Sequence, residues 1–374
     1  MLEEVVRHRD LSFRACDPAA VEAALSAARA AVSDGAERFL LAAMRVMALP
    51  DNAHTRLIPQ PAIRTLPLRF VASGADVWLT EAEGVDLPLP ARLLSVDGVR
   101  PEAVLRRAAP LLPGPPQRKA VVGALLFAWP AALRALDMPD RPVLLLEGPD
   151  GDALRLDTAP LPLVPAGRVY PLNEHGRPQA TARPATEAHR HAGLWHLALR
   201  NFSVPDLPDR LSALLDGIAE APGLPLILDL RGNTGGDFLN TLAFLDRLER
   251  EWRGPAAALL IDRFTFSAAI VCACLVPHRL SRPVHLVGEP PGDRMTFWAE
   301  GGRLPLPGSG AILRHCDGWH DWQTGRATED TPRNIAERMI AAPLPAPLEA
   351  VQDPRDHAAG RDPVRARAAQ ALGA

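Results

Sequence analysis

The chain has 374 residues, 47% hydrophobic and 23% charged, which is typical of a globular protein long enough for two or three domains. Its formal net charge of −3 gives no electrostatic reason to expect binding to nucleic acid or to an anionic membrane. The amino-terminal segment is charged and no stretch reaches the roughly 18 apolar residues of a membrane-spanning helix, so we expect a cytoplasmic protein, or an exported one if the start is misassigned.

The first predicted elements are two helices within residues 18–48. This stretch is rich in alanine, its apolar residues recur at helical spacing, and a Ser-Asp-Gly break at 33–35 divides it. Pro50 ends the second helix, and the polar turn DNAHT at 51–55 follows. We assign residues 1–65 to an amino-terminal helical segment.

Residues 66–160 have the pattern of a β-rich module, with short apolar runs separated by Asp-Gly turn pairs. One helix is predicted at 101–109, and residues 112–138 form an apolar insertion. Residues 161–192 are rich in proline and histidine, which indicates a linker.

Residues 193–374 alternate predicted strands and helices, which indicates an α/β domain. Within 225–270, a buried strand ends in the glycine-rich turn DLRGNTGG, an amphipathic helix follows, and a second buried strand delivers Ser267 to the start of another helix. A serine at such a position is often only a helix cap. Beside unpaired glycine amides, however, it has the minimum equipment for acyl transfer, so we predict that Ser267 is a nucleophile.

Three segments of this domain resemble the tail-specific, or C-terminal processing, serine proteases, whose relatives include the tricorn core. They are DLRGNTGG at 229–236, TFSAA at 265–269 and VGEP at 287–290. The resemblance implies a crotonase/ClpP-like α/β core of βαβ units, preceded by a PDZ-like module of the kind that binds peptides by strand addition. It also implies that the amides of Ala268 and of Gly235 or Gly236 form an oxyanion hole.

The chain departs from this family at the base that activates the serine. The bacterial processing proteases have a lysine just beyond VGEP, where this chain has Arg294, which stays protonated and cannot accept a proton. Lys119, the single lysine, lies in the apolar insertion. The tricorn-like branch instead uses a histidine upstream of its PDZ-like module, where this chain has His54, although Ala53 replaces the serine that precedes the tricorn histidine. We predict His54 as the general base and Arg294 as a substrate-binding residue.

The resemblance also implies an acid that orients the base, some fifty to sixty residues after the nucleophile. Asp321, Glu329 and Asp330 are the candidates in that region. We choose Glu329, and Asp51 is a local alternative three residues before His54.

No metal site is predicted. The pair Cys272 and Cys274 has no matching second pair, and an irregular spacing that is atypical of metal ligands separates His315, Cys316, Asp317 and His320.

We therefore predict a serine peptidase that hydrolyses peptide bonds through an acyl-enzyme on Ser267, with no metal or organic cofactor. Two other classes remain open: a catalytically inactive, peptide-binding pseudo-peptidase, and an acyl hydrolase that acts on small esters. The expected partner is a peptide or protein substrate. The sequence predicts neither cleavage specificity nor oligomeric state.

Overall fold

The computed structural model describes residues 1–171 and 184–374, and these residues divide into two units. The first unit contains the described residues up to position 171, together with Phe297–Trp319 and Asp353–Ala359. The second contains residues from 184 to Thr296, His320–Gln352 and Gly360–Ala374. Each unit is therefore assembled from separated stretches of the chain.

Up to residue 171 the strands are β1 (Arg56–Ile58), β2 (Arg64–Thr65), β3 (Leu68–Ser73), β4 (Asp76–Ala82), β5 (Ala91–Val96), β6 (Val143–Glu147), β7 (Ala153–Asp157) and β8 (Val164–Pro165). The α-helices are α1 (Leu2–Glu4), α2 (Pro18–Ala31), α3 (Ala36–Ala48), α4 (Pro101–Ala108), α5 (Pro116–Gly123), α6 (Pro130–Ala135) and α7 (Ala166–Val169). A π-helical turn at Val5–Arg9 and 3-10 turns at Leu11–Ala15, Ala109–Leu111 and Ala124–Ala128 complete this part.

From residue 184 the strands are β9 (Thr186–His191), β10 (Leu194–Leu199), β11 (Leu226–Asp229), β12 (Ala257–Ile261), β13 (Val284–Gly288), β14 (Thr296–Ala299), β15 (Gly302–Pro305), β16 (Ile312–His315), β17 (Gly318–Asp321) and β18 (Leu348–Glu349). The helices are α8 (Leu207–Ile218), α9 (Leu239–Glu251), α10 (Ala268–Arg279), α11 (Arg333–Ala336), α12 (Pro354–Ala358) and α13 (Pro363–Ala371).

The first unit contains an antiparallel five-stranded sheet in the order β3-β4-β5-β6-β7 and a second antiparallel sheet in the order β1-β16-β15. Helices α2 and α3 occupy the predicted positions. Asp17 caps the start of α2, and residues 32–35 separate the two helices. The predicted β-rich pattern of residues 66–160 is thus present as a five-stranded sheet, with α4 following β5.

The apolar insertion at 112–138 belongs to the core of the first unit. Phe127 packs against Phe70 of β3 with 5.7 Å between the ring centroids, and Trp129 is fully buried. The Trp129 indole nitrogen donates to Glu37 Oε1 at 2.9 Å, so the polar end of this buried ring also has a partner. The insertion therefore packs against the β-rich module and contacts α3.

The second unit is built on a six-stranded sheet in the order β18-β13-β12-β11-β10-β9. Strands β10 to β13 are mutually parallel, and α8, α9 and α10 connect them in sequence. Every residue of β10, β11 and β12 is buried, as expected for parallel strands covered on both faces. The predicted βαβ core is present with these strands in the predicted places.

The predicted linker at 161–192 lies partly outside the described residues. Its described part contains β8, α7 and β9, and β9 pairs antiparallel with β10 at the edge of the sheet. This polar strand was not predicted because an exposed edge strand carries no apolar alternation. Among the described helices, none has the length and apolar character needed to cross a bilayer.

Candidate active site

Ser267 is the last residue before α10, and its backbone is strained. Its φ of 59° and ψ of −127° lie outside the regions that residues with a Cβ normally adopt. Such outliers persist only where the surrounding structure enforces them, and they concentrate at functional sites. Ser267 is half-buried and ends the loop 262–267, which connects β12 to the amino end of α10.

The loop between β12 and Ser267 is held by the carboxylate of Asp262. This side chain accepts hydrogen bonds from Phe264 N at 3.0 Å and Thr265 N at 2.8 Å, within its own loop. It also accepts one from Gly232 N at 3.0 Å, in the glycine-rich turn after β11. One side chain thus fastens the serine loop to the glycine turn.

Burial raises the pKa of Asp262 to about 6, although the amide hydrogen bonds and the charge of Arg231 oppose this shift. The carboxylate form is therefore fully present only above that pH. Thr265 provides a second connection, because its hydroxyl donates to Leu230 O at 3.0 Å.

Gly235 lies directly against the nucleophile. A Cβ added to Gly235 would be 2.7 Å from Ser267 Cβ and 2.8 Å from Phe266 O, and its φ is +98°. Any side chain here would displace the serine. The structure therefore places Gly235 against Ser267 and the following residue, Ala268.

The amides of this turn differ in their availability. Gly235 N donates to Asn233 Oδ1 at 2.8 Å, so its hydrogen is already used within the turn. Gly236 forms a parallel bridge to Phe202, in which the bonding amides are Phe202 N and Asp237 N. Within the described part of the chain, the N–H groups of Gly236 and Ala268 have no hydrogen-bond acceptor.

Asn233 organises this turn and was not predicted as a functional residue. It is fully buried, and its Nδ2 donates to Leu199 O at 2.8 Å while its Oδ1 binds the Gly235 amide. The signal available in the sequence was an asparagine inside a glycine-rich turn, since asparagine side chains commonly bond to the backbone two residues on.

Asp229 and Arg231, at the end of β11, form a buried network of ion pairs. Arg231 Nη2 lies 2.7 Å from Asp229 Oδ2 and 2.8 Å from Asp362 Oδ2. His196 Nε2 lies 3.1 Å from Asp229 Oδ2. Burial opposes ionisation of Asp229, yet Arg231 and His196 hold the pKa of this carboxyl well below its usual range.

Arg294 is exposed in the second unit, after the VGEP segment. Its backbone N–H donates to Asp293 Oδ1 at 2.9 Å. Glu289, the acid of the VGEP segment, is in an ion pair with Arg263, whose Nη2 lies 2.5 Å away. The substrate-binding role of Arg294 stays a prediction.

His54 belongs to the first unit, in the turn that precedes β1. Only 2% of the residue is exposed, and its ring stacks on Phe297 with 5.0 Å between centroids and 18° between planes. Asp51, at the start of this turn, accepts from Gly114 N at 3.1 Å and forms an ion pair with Lys119 Nζ at 3.0 Å. The single lysine is thus held by a carboxylate.

The candidate acids lie in different surroundings. Glu329 is exposed and has no hydrogen-bond partner among the described residues. Asp321 is buried and accepts from Thr324 N at 2.8 Å and Thr324 Oγ1 at 2.6 Å. Both belong to the second unit, and the choice of Glu329 stays a prediction.

Comparison with solved structures shows which known proteins share this fold. No protein-family model and no curated protein matches the chain. Among solved structures, mature CPAF is similar with a TM-score of 0.53 and 11% identity, over 94% of this chain and 90% of CPAF. Mature CPAF complexed with lactacystin gives a TM-score of 0.55 and 11% identity, over 100% of this chain and 95% of that chain.

A photosystem II D1 C-terminal processing protease also matches over 89% of this chain and 94% of that chain, with 13% identity and a TM-score of only 0.38. The fold expected from the resemblance to tail-specific proteases is confirmed by the CPAF comparisons. Likeness at 11% identity concerns the fold alone, so the activity has to be argued from the site.

Proposed function

We propose that this protein is a serine peptidase in which Ser267 is the nucleophile. The observation that carries the proposal is the strained backbone of Ser267 at the start of α10, against Gly235 and beside the Ala268 amide, which like the amide of Gly236 has no acceptor among the described residues. Strain at a serine that serves only as a helix cap has no structural benefit, because a cap residue normally has extended φ and ψ.

In the proposed reaction, Ser267 Oγ attacks the carbonyl carbon of a peptide bond and passes its proton to the base. The resulting oxyanion accepts hydrogen bonds from the N–H groups of Ala268 and Gly236. The protonated base then gives its proton to the leaving amine, the C–N bond breaks, and an ester to Ser267 remains. Water, deprotonated by the same base, attacks this ester and restores the serine.

For the base we propose His54. Imidazole accepts a proton near neutral pH, whereas arginine at position 294 does not. The stack of His54 on Phe297 fixes the plane of the ring. We assign peptides or proteins as substrates because the DLRGNTGG turn and Ser267 resemble the tail-specific proteases.

The test is labelling by a fluorophosphonate, which reacts with activated serines, followed by mapping of the modified peptide. We expect one labelled residue, Ser267, and a labelling rate that rises with pH through an apparent pKa of roughly 6 to 7. Ser267→Ala should lose label and at least about 10⁴-fold of peptide hydrolysis. His54→Ala should lose the pH-dependent limb.

Several results would contradict this proposal. Wild-type protein that takes no label is the pseudo-peptidase of the second hypothesis. Labelling with turnover of small esters and no turnover in a library of unstructured peptides would indicate the acyl hydrolase. Loss of activity in Lys119→Met with full activity in His54→Ala would identify the lysine as the base.

A further inference from the structure

The turn that carries His54 is fixed by a buried hydrogen-bond chain that begins at Asp10. This carboxylate is 3% exposed and accepts from Thr55 Oγ1 at 2.8 Å. It also accepts from Ser12 Oγ at 2.5 Å and Ser12 N at 3.0 Å. No lysine or arginine among the described residues forms an ion pair with Asp10. A buried carboxylate without a cation is costly, so its retention calls for a reason.

The hydrogen-bond chain continues from Thr55 to Asn52, which precedes His54 in the sequence. Thr55 has one hydroxyl proton and gives it to Asp10, so its oxygen is free to accept from Asn52 Nδ2 at 3.0 Å. The Thr55 backbone N–H donates to Asn52 O at 3.0 Å, which closes the turn around His54. The order of donors is thus set by Asp10, which as a carboxylate can only accept.

Asn52 in turn connects this turn to β14, the strand that carries the ring stacked on His54. Its Nδ2 donates to Trp298 O at 3.0 Å, and its Oδ1 accepts from Trp298 N at 3.2 Å. Phe297, the neighbour of Trp298, makes the stacking contact with the imidazole. Both the backbone of His54 and the ring that supports its side chain therefore depend on the same chain of hydrogen bonds.

We propose that Asp10 is a positioning residue for His54: its carboxylate holds the 52–55 turn and β14 in the arrangement that presents the imidazole as a base. This proposal rests on the proposed function of His54. The amino-terminal segment, which is far from the DLRGNTGG and Ser267 motifs in sequence, thereby becomes part of the catalytic apparatus of the protein.

The central experiment compares Asp10→Asn with Asp17→Asn in the full chain. Asparagine keeps the shape of Asp10 but adds N–H donors, which would reverse the direction of donation along the hydrogen bonds from Asn52 through Thr55 to residue 10. Asp17 caps α2 from an exposed position, so it tests the same chemical change elsewhere in the amino-terminal segment. We expect Asp10→Asn to slow fluorophosphonate labelling of the folded protein by about 10- to 100-fold and to shift the midpoint of its pH profile. Asp17→Asn should stay within about twofold of wild type.

A purely structural role for Asp10 gives a different result. In that case labelling falls only in proportion to the folded fraction, measured by thermal unfolding, and the midpoint of the pH profile does not move. Thr55→Val removes the hydroxyl at nearly constant shape and should reproduce the effect of Asp10→Asn, while Thr55→Ser should restore labelling. A normal labelling rate in Thr55→Val, or in Asp10→Asn, overturns the proposal.

The double variant His54→Ala/Asp10→Asn separates this proposal from the proposed function. If Asp10 acts through His54, adding Asp10→Asn to His54→Ala should cost less than about threefold. Independent, multiplying losses would show that Asp10 acts elsewhere and overturn the inference alone. Wild-type labelling in His54→Ala would instead remove His54 as the base, and the role of Asp10 would fall with it.

Discussion

At the scale of single residues, the most informative observation is the backbone of Ser267. A φ of 59° costs a residue with a Cβ on the order of 1–3 kcal/mol. The contacts that enforce it are known: Asp262 fastens the loop, and Gly235 packs against the serine. Strain at this residue should therefore be measurable as a stability cost that glycine would relieve.

We predict that Ser267→Gly unfolds with a free energy about 1 kcal/mol higher than Ser267→Ala, because glycine adopts positive φ without strain. Both variants lack the hydroxyl, so the comparison isolates the backbone. The measurement is equilibrium denaturation in urea. Equal stability of the two variants would mean that the backbone of Ser267 is not strained in solution.

The sequence predicts Ser267 as the candidate nucleophile, and it gives no prediction of the conformation of this residue. Ser267 and its neighbours stand out because the glycine turn, two apolar strands and a helix occur in a recognisable order. Groups from three separate segments, at Asp262, Gly235 and Gly292, contact the loop that ends at Ser267. Gly292 N, for example, donates to Thr265 O at 2.8 Å. Contacts between distant segments have no local sequence pattern, so the sequence did not predict them.

At the scale of elements, the glycine-rich turn after β11 contains glycines with different roles. Gly232 has a φ of +73° and open space around the position of a Cβ, so a methyl group there would strain the backbone without touching the site, and the N–H that binds Asp262 would be kept. Gly235 combines a φ of +98° with contact to Ser267. Alanine substitution at the two positions therefore distinguishes backbone strain in the turn from displacement of Ser267.

We predict that Gly232→Ala lowers the unfolding free energy by about 1 kcal/mol and leaves labelling of Ser267 within about threefold. Gly235→Ala should cost more stability and reduce labelling by at least about 100-fold, because the new methyl would lie 2.7 Å from Ser267 Cβ. Urea denaturation and fluorophosphonate kinetics on both variants provide the test. Similar labelling rates would show that Gly235 does not shape the nucleophile.

Buried parallel strands and amphipathic helices were the elements that the sequence predicted well. Strands β10 to β13 are nearly continuous apolar runs, and α8 and α9 have one apolar face each. No strand was predicted between residues 296 and 321, where four short strands occur with mixed burial. The same is true of β9, because half-exposed short strands lack a clear period.

At the scale of the whole molecule, the chain returns repeatedly to each unit, and long-range ion pairs hold the returning segments. In the second unit, Arg231 binds Asp362, which caps α13, and residues of α13 pack against β12 and β13. In the first unit, Arg355 of α12 pairs with Glu147 and lies 4.8 Å from the Trp78 ring. The sequence could not predict these pairings, since arginine is abundant and any acid is a candidate partner.

The network around Arg231 makes a prediction about stability and pH. Asp229 is fully buried, and removing Arg231 takes away its permanent cation and leaves only His196 beside it. We predict that Arg231→Met lowers the unfolding free energy at pH 7 by about 3–5 kcal/mol. As a control, Arg210→Met breaks an exposed pair with Asp206 and should cost less than about 1 kcal/mol. Urea denaturation at several pH values measures both.

The pH dependence follows from the direction of the Asp229 shift. In the wild type its pKa is held below the usual range, so its stabilising contribution is present above about pH 4 and is lost as pH falls through the folded-state pKa. In Arg231→Met only His196 still opposes the effect of burial, so we expect the pKa of Asp229 to rise above its usual range, and stability then falls as pH rises through the range in which the carboxyl ionises. The gap between wild type and Arg231→Met should therefore widen from pH 3 to pH 7. A gap that is constant over this range, or as small as that of Arg210→Met, would contradict a buried charge pair as the link between the glycine turn and α13.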